Sequence, residues 1–75
     1  VELLSKMGKI YRTDRYIEFS DKVVLLDYKT GIKESAHHRQ MKQYIQVVSD
    51  LQPKPIEAFL LYLEDLSDYQ IERVE

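Results

Sequence analysis

Apolar positions along this chain follow two different periods, and the switches between them divide it into elements. Residues 9–19 interleave Tyr, Ile and Phe with charged side chains, which predicts a strand. Ser20-Asp21-Lys22 reads as a polar turn, and Val23 to Tyr28 are almost wholly apolar, as expected of a strand buried on both faces. Thr30-Gly31 ends that run, so the two segments predict an antiparallel hairpin. From Ser35 to about Leu51 the period becomes helical. Met41, Tyr44, Ile45, Val48 and Leu51 fall on one stripe, with Ser35 as the expected N-cap. Pro53 and Pro55 forbid continuation of that helix. Residues 56–63 read as a second buried strand, Glu64 to Asp68 as a polar turn, and Tyr69 to Val74 as an edge strand. The expected order is β-β-α-β-β: an α/β (α+β) mixed sheet with one helix packed on it.

Length and composition narrow the classes. At 75 residues the chain is one small domain or a piece of one, and a domain that size buries only about 60% of its unfolded surface. An apolar content of 44% with few Gly and Pro excludes a disordered or fibrous chain. Cysteine is absent, which excludes disulfides and thiolate metal sites and fits a reducing compartment. The net charge of −2 is unlike that of a protein that coats DNA, so any nucleic-acid contact must be local or belong to a partner. No apolar run has the length of a membrane span, and no signal-peptide pattern is present. The chain opens at Val1 without Met and reads as a piece of a longer protein.

The chemistry lies in the predicted hairpin. Residues two apart in a strand share a face, so Asp27 and Lys29 point the same way at the end of the apolar run. Turn length sets where Asp14 falls. A two-residue turn at Ser20-Asp21 places Asp14 opposite Asp27, a turn at Asp21-Lys22 places it opposite Lys29, and a three-residue turn places it opposite Tyr28. Two opposed carboxylates repel unless something compensates, and a hard divalent cation with oxygen ligands does so. The plainer reading is a set of ordinary ion pairs, because Asp-x-Lys is a common tripeptide and Arg12 and Arg15 flank Asp14.

Three stretches, taken together, carry a resemblance. Arg12-Thr13-Asp14-Arg15, Leu26-Asp27-Tyr28-Lys29-Thr30-Gly31 and Gln40-Met41-Lys42-Gln43-Tyr44 resemble, in order and spacing, the signature of RecB-like nucleases of the PD-(D/E)xK superfamily. The nuclease regions of RecBCD- and AddAB-type helicase–nucleases belong there. The resemblance implies a partial restriction-endonuclease-like core, with residues 1–75 a single fragment that lacks the N-terminal helix of the fold. It implies that Asp14, Asp27 and the backbone carbonyl of Tyr28 hold Mg²⁺ or Mn²⁺. Lys29 would be the catalytic lysine, and Gln40 and Tyr44, one helical turn apart, would reach toward the site or the DNA backbone. Arg12 and Arg15 flank the site as further DNA contacts.

The implied activity is metal-dependent DNA hydrolysis in double-strand-break processing and recombinational repair. The implied partners are DNA and an ATP-binding helicase region, in the same parent chain or in a partner subunit, in the bacterial cytoplasm at the nucleoid and away from membranes. Thr13 stands where many members have Pro, and Val1 to Met7 is too short for the family's N-terminal helix. His37 and His38, in the first helical turn, are expected to face solvent, and Lys33, Arg39, Lys42 and Lys54 read as scattered surface charges within reach of phosphate. A sheet with one face uncovered predicts a homodimer of the chain. The alternatives are an inactive nuclease-fold module that binds DNA or acts as a scaffold, and a stand-alone nuclease of the CRISPR-adaptation type. Members of the latter type usually carry cluster-binding cysteines, which this chain lacks.

Overall fold

A computed structural model describes residues 1–65 and 68–75. Six strands and one helix follow in the order β1 (Glu2–Leu4), β2 (Ile10–Arg12), β3 (Arg15–Glu18), β4 (Val23–Thr30), α1 (Ser35–Leu51), β5 (Ile56–Asp65) and β6 (Asp68–Val74). The class is α+β: a mixed four-stranded sheet in the order β3-β4-β5-β6, with α1 packed on one face, beside a separate two-stranded sheet β1-β2. The polar turn expected from Glu64 to Asp68 falls on residues 66 and 67, which lie outside the described residues, and the strands reach Asp65 and resume at Asp68.

The first expected strand, residues 9–19, is divided. Ile10–Arg12 pairs with Glu2–Leu4, while Arg15–Glu18 pairs with β4, and the chain bends at Thr13-Asp14 between them. Val1 to Met7 is therefore strand and turn rather than the remnant of a helix. Gly8 adopts a positive φ of 80°, which suits the tight Ser5–Gly8 turn that reverses the chain into β2. Leu3, buried against α1, makes this hairpin part of the core.

The β3–β4 hairpin takes the first of the three registers, with Glu18 opposite Val23 and the Phe19 N–H donating to the Lys22 carbonyl at 2.8 Å. Strand β4 then leads through α1 into β5, which runs parallel to it over eight paired positions from Val23↔Ile56 to Thr30↔Leu63. A parallel pair needs such a crossover, and the 17-residue helix supplies it. Val23, Leu25, Ala58 and Leu60 project from the central strands against Met41, Tyr44, Val47 and Val48 of α1, and all are buried. The helical stripe is thus rotated from the expected one. Val47 is buried, Ile45 only partly so, and Leu51 is exposed because the chain leaves the helix there toward Pro53. Ser35 is the first helical residue rather than the cap. Glu34 occupies the N-cap position in extended geometry and makes no side-chain capping bond.

Side chains rather than a cap fasten the start of α1. His37 Nδ1 lies 3.0 Å from the Tyr62 hydroxyl on β5, and His38 Nε2 lies 2.9 Å from Glu72 on β6. Lys33 Nζ donates to the other oxygen of Glu72 at 2.8 Å. The two histidines are therefore half-buried and bonded to the sheet instead of facing solvent, because the first helical turn lies across β5 and β6. Lys33 and His38 hold the Glu72 carboxyl below its usual value of 4.5. A lowered value in the folded state means stability that is present above 4.5 and lost as pH falls through the folded value.

Two predictions follow from this packing. Leu60→Ala should destabilise the fold by about 2–5 kcal/mol in urea titrations, because Leu60 is fully buried at the centre of the sheet. Glu72→Gln should flatten the acid side of the stability–pH curve below about pH 4.5 relative to wild type, measured by the same titrations from pH 3 to 7.

Candidate active site

The bend at Thr13-Asp14 builds the site. Continuing the hairpin register by one pair sets Asp14 opposite Asp27, on the face that also carries Leu25 and α1. The two residues bond crosswise. The Asp14 N–H donates to Asp27 Oδ1 at 2.9 Å, and the Tyr28 N–H donates to Asp14 Oδ2 at 2.9 Å. Asp27 is buried and Asp14 exposed, so one carboxylate anchors the hairpin while the other meets solvent. Lys29, two residues along β4, brings Nζ to 3.4 Å from Asp27 Oδ2 and donates to Gln40 Oε1 at 3.0 Å. Asp14, Asp27, Lys29 and Gln40 therefore stand together, at the end of β4 and beside the first turns of α1.

The remaining candidates separate into near and far. Tyr44 is buried in the core with its ring edge-on to Tyr11, the centroids 5.9 Å apart. Burial, and then the charges of Asp27 and Asp14, push its phenol above the usual value, so its side chain lies within electrostatic reach of both carboxylates. It packs rather than presents itself to a polymer, which corrects its expected role as a DNA contact. The Tyr28 ring projects to the opposite face of the sheet, but its N–H points at Asp14, and in an extended strand the carbonyl leaves on the same side. Arg15 pairs with Leu26 and so lies on the face away from the carboxylates; the one-residue alternation of a strand removes it from the site. Arg12 is bound to Glu2 at 2.8 Å across the small sheet, on exposed surface.

Thr13 is the residue the sequence did not mark. It is buried, and its hydroxyl lies 3.3 Å from Asp27 Oδ1, 3.3 Å from the Leu26 carbonyl and 3.5 Å from the Arg15 carbonyl. One hydroxyl proton serves one acceptor at a time, and the carboxylate is the strongest of the three. No spacing rule marks this role, because strand alternation would turn Thr13 away from Asp27; the bend brings it back.

The donor set suits a hard cation. Two carboxylates and a carbonyl form the oxygen-only, part-hydrated arrangement that Mg²⁺ and Mn²⁺ accept. Among the described residues no group of three or more His, Cys, Asp or Glu could hold a metal by itself, so waters or a substrate oxygen would have to complete the shell. The largest cleft, about 450 Å³ and lined in part by Met7, Tyr11, Gln43 and Val47, includes none of Asp14, Asp27 and Lys29. Surface position, not enclosure, is the character of the carboxylate site.

Compared with known proteins, the chain matches no family model and no curated protein. Among the described residues no helix is long and apolar enough to cross a membrane.

Thr13→Val keeps the shape and removes the donor. It should cost roughly 1–3 kcal/mol in chemical denaturation, with Thr13→Ser restoring most of that loss.

Proposed function

We propose that the chain is the core of a metal-dependent DNA nuclease that hydrolyses phosphodiesters. The observation that carries this reading is the convergence of Asp14, Asp27, Lys29 and Gln40 on one face of a β-hairpin and the helix beside it. Asp14, Asp27 and the Tyr28 carbonyl would hold Mg²⁺ or Mn²⁺. Such an ion, when bound, lowers the pKa of a water and offsets charge on a phosphoryl oxygen.

The chain's own residues do the rest by position. Lys29 spends two of its three N–H donors on Asp27 and Gln40, which fixes the ammonium and leaves the third for an attacking water or a phosphoryl oxygen. Gln40 holds Lys29 from the helix side. Thr13 and the Asp14 N–H hold Asp27 Oδ1, so this carboxylate is oriented before any ligand arrives. Asp14 and Gln40 are exposed, as a site acting on a long polymer requires. Tyr44 closes the site from below and keeps water from the buried side of Asp27.

The wider assignment rests on the resemblance in Arg12–Arg15, Leu26–Gly31 and Gln40–Tyr44. On that ground the parent protein couples this core to an ATP-driven helicase, in the same chain or in a partner subunit, for double-strand-break processing and recombinational repair at the bacterial nucleoid.

A second reading has one observation in its favour. The bonds from Thr13, Asp14 and Lys29 satisfy Asp27 without any cation, which is what a nuclease-fold module that only binds DNA or acts as a scaffold would need. Metal titration separates the two. The nuclease reading expects Mn²⁺ binding that Asp27→Asn abolishes, and cleavage of linear DNA in Mg²⁺ that Lys29→Gln lowers by about 100-fold or more. Absence of Mn²⁺ binding by the wild-type chain would favour the second reading.

A further inference from the structure

The face of the four-stranded sheet turned away from α1 is apolar across its width. Cross-strand register puts Leu26 beside Phe59, and Tyr28 beside Leu61, which in turn pairs with Ile71. At the ends of the same face lie the pairs Ile17↔Val24 and Leu63↔Tyr69. Ile17, Phe19, Tyr28, Leu63, Tyr69 and Ile71 are each between 38% and 62% exposed. At about 150–250 Å² for a large side chain, these six leave roughly 500 Å² of surface open, and the half-buried Leu26, Phe59 and Leu61 between them add to it. That equals or exceeds the largest apolar patch of an ordinary monomer and approaches the roughly 800 Å² that each partner gives to a stable interface.

Charge sits at the rim. Arg73 lies over the Phe59 ring from the β6 side at 6.0 Å, and Lys22 lies over Phe19 at 5.7 Å while bonding Glu57. An apolar centre bordered by such groups is the anatomy of an interface. The strands beneath agree: β4 and β5 run parallel, and parallel strands are normally covered on both faces.

We propose that a second copy of this chain covers the face, the two sheets packing face to face in a closed two-fold dimer. Width decides between occupants. Four strands at about 4.8 Å spacing present a surface some 15 Å across between outer strands, which a single helix of about 10 Å diameter leaves partly open. The same sheet from a second copy matches that width, and aligned sheets pack at about 10 Å with their side chains interdigitated. A two-fold pairing also closes on itself, so the patch is consumed rather than propagated. The dimer leaves α1 and the Asp14–Asp27–Lys29 face outward, so this inference does not rest on the nuclease reading.

Sedimentation equilibrium of the 75-residue chain tests it. Wild type should be a dimer, and Ile71→Lys, a change at a position 58% exposed in the monomer, should weaken association roughly 30-fold or more without loss of helix signal. Ile32→Lys, at a residue 85% exposed outside the face, and Asp27→Asn should dimerise as wild type does. A wild-type monomer would assign the face to another chain's helices and overturn the proposal. Open-ended assemblies without a dimer, or a dimer indifferent to Ile71→Lys, would overturn it too.

Discussion

A carboxylate buried at the end of a central strand must find donors, and the Asp27 side chain organises the surrounding backbone for that reason. Removing a charge from water costs several kcal/mol unless hydrogen bonds replace the lost hydration. Here the Asp14 N–H and the Thr13 hydroxyl approach one oxygen, and Lys29 approaches the other. Meeting that demand requires the neighbouring chain to bend at Thr13-Asp14, which ends β3 and sends β2 to a separate sheet with β1. The same bend turns Asp14 so that it accepts the Tyr28 N–H. Local satisfaction of one buried acid thus produces the feature on which the functional reading depends, two carboxylates and a lysine on one face.

The helix completes this arrangement from both ends of its first half. Its opening turn has no side-chain cap, yet His37, His38 and the preceding Lys33 reach Tyr62 and Glu72 on the last two strands. Those contacts set how α1 lies across the sheet, and therefore where Gln40 falls relative to Lys29. One turn further, Tyr44 fills the space under the carboxylates and Met41 packs on the sheet. Catalytic geometry and core packing are served here by the same few turns, so the site is held by rigid elements rather than by loops.

The two faces of the sheet divide the roles. One carries the helix, the carboxylates and the lysine; the other carries side chains that water covers poorly. A mixed sheet with parallel central strands has no physical reason to leave one face bare. Arg15 shows how sharp the division is. It neighbours Asp14 in the chain, but strand alternation places it on the far face, beside Leu26.

Much of this was legible in the residues. The apolar run Val23–Leu26, the helical period after Ser35 and the stop at Pro53 locate the principal strands and the helix, because burial and backbone sterics act locally. The two-residue spacing of Asp27 and Lys29 fixes a shared face, and the Ser20-Asp21 turn is one of three options that chain counting allows. Choosing among those options, breaking the first strand at Thr13, starting the chain with a strand and turning the helical stripe toward Val47 all required the tertiary structure. So did the pairing of His38 with Glu72, two residues 34 positions apart. The sequence by itself set periodicity and facing within each element, since those depend on neighbours in the chain. Long-range packing decided which elements meet and what each buried polar group bonds to, because that depends on residues far apart in sequence competing for the same buried space.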